Sequence, residues 1–582
     1  MNAHKQITAL VHDAKDGWWL RFAEPECVVE ARRTEEVLPA VARVEELVRG
    51  GLFAAGCLSY EASPAFDPAL RVRPPGEFPL CWFGLFRKVE RLAALPAPEV
   101  PAEAPESWQH SVTREQFTDA IARIKEHIFA GDTYQVNYTF RMQAPFAGDA
   151  YGLFATLSAR QKSKYAAFLD LGRFAVCSAS PELFFTLDQG ALASLPMKGT
   201  AGRGRWPEED RLQALWLHNS SKNRAENVMI VDMIRNDMGR VAERGTVEVP
   251  ELFTVERYPT VLQMTSRVTA RTGRGLSQVL AALFPCASIT GAPKVSTMEI
   301  ISELETTPRG LYTGAVGFAL PEGRVQFNVA IRTVTVDRRC GSAEYGVGGG
   351  ILWYSDADDE YEECRIKAGV LRRRAPQFRL LESLLWTPYG GFWLLSRHLD
   401  RLGSSAGYFG FPLDRDEAEK RLAGFAAGLP PRPHKVRLTL AESGEMEITA
   451  GPAPEPSSGP VRVRLAPNAV HSSDCFLFHK TTRREVYEKA KARVPDADDV
   501  ILVNEKGQAT ESAIANLAAR IRGRLVTPPL SCGLLAGTLR EEMIQSGELS
   551  ERVLTPDDLR TADALFLLNS VRGLRPAVLL PD

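Results

Sequence analysis

Residues 165–196 read YAAFLDLGRFAVCSASPELFFTLDQGALASLP. Four short apolar runs, YAAFLDL, RFAVCSAS, LFFTL and ALASLP, follow one another here with no helix-length text between them. Runs of this kind, punctuated by Gly, Pro and Ser, read as strands. Strands in immediate succession point to an α+β fold, because a doubly wound sheet would alternate each strand with a helix. Upstream, REQFTDAIARIKEHIFAGD spaces Phe117, Ile121, Ile124 and Ile128 as one helical face and places Gly131 at its C-terminal end. Downstream, helical text covers about 208–239 and about 356–372, and VQFNVAIRTVTVD (325–337) alternates as a strand. Residues 1–91 hold further strand candidates, such as GLFAAGCLSYEA and FPLCWFGLF. The stretches LAALPAPEVPAEAPES (92–107) and GPAPEPSSGP (451–460) read as linkers or surface straps. Near 376 the text restarts with FRLLESLLWTPYGG, hairpin punctuation followed by a helix. The expected division is 1–110, 111–374 and 377–582.

Composition closes off other classes. With 582 residues the chain should hold three to five domain-sized units at ~100–200 residues each. Lys and Arg total 70 against 72 Asp and Glu, a net charge of −2, so there is no global basic field for nucleic acid. Apolar residues make up 45% and charged residues 24%, the balance of a packed globular protein. No uninterrupted apolar run reaches the ~18 residues of a membrane span, and the opening MNAHKQITALVHDAKDGWWL lacks a signal-peptide pattern. The nine cysteines are scattered without a C-x-x-C pair, which reads as reduced thiols. A soluble, cytoplasmic, multi-domain enzyme is expected.

A first constellation occupies 178–367: SPELFF, PMKGTAGRG, KNRAENVMIVDMIRNDMGRV, ASITGAPKVSTMEIISELE, AIRTV and GVGGGILWYSDADDEYEECRIKAG, in that order. Glu360 and Glu363 stand three apart on a predicted helix and share a side, while Glu226 sits on another helix among apolar residues. A hard divalent cation such as Mg²⁺ takes a few carboxylates, water and a substrate oxygen, which two such helices can supply. A lone helical glutamate is ordinarily solvated, so the argument rests on the set. GVGGG (346–350) lets backbone N–H groups approach an anion, although Ile351 departs from the dinucleotide pattern G-x-G-x-x-G. Lys198, at an apolar strand end, would be partly desolvated, which favours the neutral, nucleophilic amine.

Together these motifs resemble the chorismate-utilising enzymes, the anthranilate, isochorismate, salicylate and aminodeoxychorismate synthases, over about 110–373, with a weaker likeness at GCLSYEASPAF. The resemblance implies a β-sandwich-like core with helices. It implies Glu226 and Glu363 as Mg²⁺ ligands with Glu360 in the outer shell. Arg332 and the backbone of Gly348, Gly349, Gly350 and Ile351 would bind carboxylate, Tyr312 and Lys367 would line the site, and Thr290 to Lys294 would form part of its wall. Aminodeoxychorismate synthases carry Lys at the position of Lys198, where anthranilate synthases carry Ala. In the chemistry this implies, the Lys198 amine attacks C2 of chorismate and expels the C4 hydroxyl. Ammonia then attacks C4 and expels the lysine, with Glu182 as general acid/base. Gln263 stands where anthranilate- and isochorismate-type members carry His; an amide moves no proton near pH 7, which argues against pyruvate elimination in this half. Asn223, three residues before Glu226, leaves the outer metal shell one charge weaker.

A second constellation follows. FLFHKTTRREVYEKA places Lys480 after an apolar run, DDVILVNEKGQATESAIANL reads strand, turn, strand, and TPPLSCGLLAGTLREEMI ends in Gly-Thr at a helix start, a suitable anion cradle. From about 377 to the end the chain resembles the class IV (fold type IV) pyridoxal-phosphate enzymes, which include aminodeoxychorismate lyases and branched-chain and D-amino-acid transaminases. That likeness implies a two-subdomain α/β domain. Lys480 would carry pyridoxal 5′-phosphate as a Schiff base, Glu511 would pair the pyridinium nitrogen, and Arg401, Gly537 and Thr538 would hold the phosphate. Lyases and transaminases share these motifs. The covalent neighbour favours the lyase, since the first half would make the amino compound a lyase consumes.

The two resemblances imply a bifunctional enzyme making 4-aminobenzoate for folate, with chorismate as substrate and Mg²⁺ and pyridoxal phosphate as cofactors. No nucleophile-elbow cysteine with a downstream His-x-Glu is visible, so ammonia would come from a separate glutamine amidotransferase subunit. A homodimer through the second domain is expected; nucleic acid and membrane are not. The alternatives are an aminodeoxychorismate or anthranilate synthase component fused to a class IV aminotransferase, or to an inactive module of the same fold.

Overall fold

The computed structural model describes residues 7–372, 377–455 and 459–581. The predicted boundary at 374–377 falls largely outside the described residues, as does the middle of the stretch 451–460. Chain contacts divide the protein into two units: Met1–Gly202 with Ala214–Ala375, and Arg203–Gln213 with Pro376–Asp582.

In the first unit the four apolar runs are strands, Ala167–Asp170, Phe174–Ser178, Leu183–Asp188 and Ala191–Leu195. The first two pair in one antiparallel sheet and the last two in another, each sheet having ten strands among the described residues. Strands from the N-terminal region enter both: Ile7–Asp13 and Trp18–Ala23 join the first sheet, Cys27–Ala31, Phe53–Leu58 and Cys81–Phe86 the second. Residues 7–92 are thus woven into the same body as the rest of the unit. Leu20, Phe22 and Val176 of the first sheet form one apolar cluster with Trp82, Phe86 and Phe318 of the second, and the Phe22 and Phe86 rings lie 5.2 Å apart. Each buried aromatic of this kind contributes roughly 1.5–3 kcal/mol.

Helices cover the outer faces. Arg114–Ala130, Ala150–Gln161 and Ala357–Ala368 pack on the first sheet, and Thr34–Arg49, Ser221–Gly239 and Leu276–Leu283 on the second. The helix at 114–130 starts where Thr113 and Gln116 form a reciprocal cap and stops at Gly131. The stretch 92–107 is a strap along Ala150–Gln161: Tyr151 donates to the Pro96 carbonyl at 2.7 Å and Thr156 to the Ala102 carbonyl at 2.8 Å.

Two local expectations need correction. The helical text at 208–239 is two helices, Pro207–Asn219 and Ser221–Gly239, because Ser220 is extended and its hydroxyl accepts from the Asn223 N–H. The run at 325–337 is two strands, Arg324–Val329 in the second sheet and Thr333–Asp337 in the first. The chain crosses between sheets at Ala330–Arg332, with Arg332 in the left-handed region at φ 52°. Alternation persists on both sides of the crossing, which hides it from the sequence.

The second unit has two parts. Leu380–Thr387, Gly391–Phe392, His434–Leu440 and Met446–Pro452 form a four-stranded antiparallel sheet packed with the helices Leu395–Phe409 and Arg415–Ala427. A mixed sheet of eight strands among the described residues follows, with Val461–Leu465 parallel to both Asp499–Val503 and Gly573–Leu579. The segment 203–213 belongs to this unit as well. Arg203 binds Asp210 through two bonds of 2.6 and 3.0 Å, Tyr408 donates to the Gly204 carbonyl at 2.7 Å, and the Trp206 ring stacks on Phe478 at 4.9 Å. Among the described residues no helix is long and apolar enough to cross a membrane.

Candidate active sites

The first site is built where the strand Ser342–Ile351 meets Lys198. GVGGG lies inside that strand, which pairs along its whole length with Gln135–Pro145. A Cβ on Gly350 would fall 2.8 Å from Lys198 Nζ and 2.3 Å from Gln135 Nε2, so the glycine is what admits the amine to this face. Lys198 is half-buried on the strand Met197–Gly202. Desolvation lowers its pKa, opposed by the charge of Glu226 and assisted by that of Lys367. Its backbone is held from two sides: Asn227 Nδ2 donates to the Lys198 carbonyl at 3.5 Å, and Gln263 Nε2 to the Gly199 carbonyl at 2.9 Å. Thr200 returns a bond to Gln263 Oε1 at 3.0 Å. Gln263 is therefore a clamp on the strand that carries the lysine.

Glu182 is buried, and burial pushes its carboxyl up to about 7 against the opposing bond from Ser288, whose hydroxyl donates to Oε1 at 2.6 Å. The charges of Glu182, Glu226 and Glu363 all act on the Lys198 amine. Each of the three expected metal-site glutamates has one oxygen engaged: Tyr354 donates to Glu226 Oε1 at 2.7 Å, Ser355 to Glu360 Oε1 at 2.6 Å, and Lys367 pairs Glu363 Oε1 at 2.7 Å. Lys367 holds the Glu363 carboxyl below its usual range, while burial raises that of Glu360. Among the described residues no group of three or more His, Cys, Asp or Glu side chains is gathered as a ready-made metal cluster. The donor chemistry still suits a hard cation, with Oε2 of each of the three carboxylates left without a protein hydrogen bond among the described residues.

The other expected residues are placed as follows. Lys367 Nζ donates to the Gly348 carbonyl at 2.8 Å, and Glu360 and Lys367 face Gly349. Tyr312 is buried under the Arg141 guanidinium at 4.7 Å. Arg332 bonds Gln161 at 3.3 Å, and its charge reaches Lys367. Thr290 is fully buried with its hydroxyl on the Cys286 and Ala287 carbonyls. Asn223 bonds Ser220 at 2.9 Å and packs beside Gly199. Sequence reasoning missed Ser288, Asn227, Tyr354 and Ser355, which lie far along the chain from the groups they hold or in ordinary polar text.

The second site is a cavity of about 310 Å³ lined in part by Arg401, Lys480, Glu511, Gly537 and Thr538. Lys480 is half-buried, and desolvation followed by the Arg401 charge brings its amine down to about 8. Among the described residues Nζ has no hydrogen-bond partner. Burial raises the Glu511 carboxyl to about 7, while Tyr487 donates to its Oε1 at 2.8 Å and Asn516 to its Oε2 at 3.2 Å. Arg401 spends Nε and one terminal nitrogen on Glu382, at 2.9 and 2.6 Å, and the other on the Ala536 carbonyl. Burial opposes ionisation of Glu382, but the charges of Arg401 and His398 win and hold it near 2. Gly537 caps the helix Thr538–Gln545, and a Cβ there would fall 1.8 Å from Asn516 Oδ1. A desolvated lysine without a partner, a buried carboxylate and a helix N-terminus around one cavity fit pyridoxal phosphate. Tyr487 and Glu382 were not singled out in the sequence, since nothing local marks them.

Residues 7–373 match the sequence profile described as chorismate binding enzyme, and 379–580 that described as amino-transferase class IV. Aminodeoxychorismate synthase component 1 of Escherichia coli is 43% identical over 258 residues, which cover 44% of this chain and 56% of that protein. Aminodeoxychorismate synthase of Streptomyces griseus is 42% identical over 293 residues, covering 50% of this chain and 39% of that one. The chain thus spans about half the length of the relatives it matches. Among solved structures, anthranilate synthase component I from Streptococcus pneumoniae superposes with a TM-score of 0.54 at 23% identity, covering 64% of this chain and 95% of that chain, a likeness of fold.

Proposed function

This chain belongs to the chorismate binding enzymes, and we propose that its first half aminates chorismate to 4-amino-4-deoxychorismate while its second half releases 4-aminobenzoate and pyruvate. The observation that carries the reading is the Lys198 amine against Gly350, between the charges of Glu182, Glu226 and Glu363. Desolvation favours the neutral amine, which attacks C2 of the ring. Glu182, protonated below about pH 7, gives its proton to the departing C4 hydroxyl, which leaves as water. Ammonia then attacks C4, the bond from C2 to Nζ breaks, and the Glu182 carboxylate takes a proton from the incoming nitrogen. Gln263 offers no base, so the step that would expel pyruvate is not supplied here.

Glu226 and Glu363, with Glu360 behind them, would hold Mg²⁺, which neutralises the ring carboxylate. Arg332, Tyr312, Lys367, Gly348, Gly349, Gly350 and Thr290 would line the substrate. In the second half Lys480, Glu511, Arg401, Gly537 and Thr538 would hold pyridoxal phosphate, whose ring supplies an electron sink. Glu511 would keep the ring nitrogen protonated, and Lys480 Nζ would take the C4 proton as the enolpyruvyl group leaves. The component 1 naming of the E. coli relative supports ammonia delivery by a separate glutaminase subunit.

Mass spectrometry of purified protein given chorismate, ammonium, Mg²⁺ and pyridoxal phosphate tests the whole scheme. Joint appearance of 4-aminobenzoate and pyruvate supports it. Arrest at 4-amino-4-deoxychorismate would leave the first half standing and remove the lyase assignment, and Lys480→Ala is expected to produce that arrest while abolishing cofactor colour.

A further inference from the structure

The strand Ser342–Ile351 and the helix Ala357–Ala368 stand on the first-sheet side of the Lys198 site, and the helix Ser221–Gly239, with Glu226, on the second-sheet side. Residues Leu352–Ser355 join the first two and reach the third. The turn is fixed within itself: the Ser355 N–H donates to the Leu352 carbonyl at 3.0 Å, and the Leu352 N–H to the Ser355 hydroxyl oxygen at 3.1 Å. It is anchored twice on the first-sheet side. The Ser355 hydroxyl donates to Glu360 Oε1 at 2.6 Å, and the Trp353 indole stacks at 5.9 Å on Phe129, at the end of the helix Arg114–Ala130. From there Tyr354 crosses to the other side. Its hydroxyl donates to Glu226 Oε1 at 2.7 Å, and the ammonium of Lys222, one turn before Glu226, lies over its ring at 4.5 Å.

The polar neighbours of Glu226 on its own helix are committed elsewhere. Asn223 bonds Ser220 at 2.9 Å, and Asn227 donates to the Lys198 carbonyl while accepting from the Ser266 hydroxyl at 2.5 Å. Among the described residues, Tyr354 is the one hydrogen-bond donor to the Glu226 carboxylate. Such a bond fixes the side chain through one oxygen and leaves the other oriented, which is how groups behind a metal ligand raise affinity. A phenol does this as a neutral donor, so Glu226 keeps its charge for a cation. We propose that Tyr354 is a positioning residue for the divalent cation of the first site: its hydroxyl holds Glu226 ready to ligate through Oε2, and the turn Leu352–Ser355 sets Glu226 against Glu360. The inference rests on the reading of Glu226 and Glu363 as Mg²⁺ ligands.

Two measurements on the full-length protein test it. Tyr354→Phe deletes the hydroxyl and keeps the ring that Lys222 covers. Mn²⁺, which takes the same hard oxygen ligands, is titrated into the chorismate-free protein while the free ion is counted by its paramagnetic resonance signal, and Mg²⁺ then displaces it. Tyr354→Phe is expected to bind both ions about 10–100-fold more weakly, the usual loss when the partner of a metal ligand is removed. In the amination assay, the Mg²⁺ concentration for half-maximal rate should rise by the same factor, with kcat at saturating Mg²⁺ within about threefold of the parent. A merely structural lesion would not be repaired by added cation. Unchanged cation dependence overturns the proposal, and tighter binding overturns it as well, by showing that the hydroxyl competes with the ion for Glu226. Glu226→Gln separates this inference from the reading beneath it. Parent-like Mn²⁺ binding in that variant would retire Glu226 as a ligand and Tyr354 with it, whereas loss of binding there beside an unchanged Tyr354→Phe would remove Tyr354 alone.

Discussion

The Ser288 hydroxyl donates to Oε1 of Glu182 at 2.6 Å across 106 residues of sequence. The carboxyl it touches is buried and would otherwise sit still higher than about 7, because the bond favours the anion while desolvation disfavours it. Burial is the larger influence on this carboxyl, and the Ser288 bond pulls against it.

Glu182→Gln is expected to slow amination by about 10²–10⁴-fold, the usual worth of a positioned proton donor. Since the first displacement needs the protonated acid, kcat/KM should fall as pH rises through about 7. Ser288→Ala removes a donor to the anion, raises the carboxyl pKa further and moves that falling limb to higher pH. A pH profile of chorismate consumption reads both. The raised folded pKa also means that stability is lost as pH rises from the ordinary carboxylate range through about 7. Glu182→Gln should therefore show a smaller drop in Tm between pH 5 and pH 8 than the parent chain.

Lys198→Ala should abolish 4-amino-4-deoxychorismate formation, and Lys198→Arg should fail equally because a guanidinium stays protonated. Retained activity in either would refute the covalent route. Gln263→Leu cuts the clamp on the Gly199 carbonyl and should cost about 10–100-fold in kcat with little change in KM, as expected of a nucleophile displaced by a fraction of an ångström.

Gly537→Ala inserts a methyl group where Asn516 Oδ1 stands 1.8 Å from the Cβ position. Asn516 must move, and its bonds to Glu511 and to the Leu535 carbonyl go with it. Overpacking of this kind costs about 1–3 kcal/mol. Titration of pyridoxal phosphate into the variant should show at least about tenfold weaker binding, with amination by the first site intact.

Trp206→Ala removes the ring stacked on Phe478, two residues before Lys480. Arg205 also donates to the Ser472 carbonyl at 3.0 Å, so this short segment braces the stretch that leads to the lysine. The variant should bind the cofactor more weakly and become protease-sensitive at 472–480. An unchanged affinity would show the brace to be dispensable.

Much was legible in the sequence. Consecutive strand text at 165–196 gave the α+β class, since period-two alternation and turn residues are local properties. Lys198, Glu182, Lys480 and Glu511 were singled out through the resemblance of the motifs around them to known families. The sequence could not place Ser288 beside Glu182, bring Tyr354 to Glu226, or assign residues 203–213 to the second unit. It also merged two strands at 325–337, because alternation does not record which sheet a strand joins. These relations are fixed by strand order and chain crossings between sheets. They depend on which distant surfaces bury one another, a property of the packed chain that local periodicity does not carry.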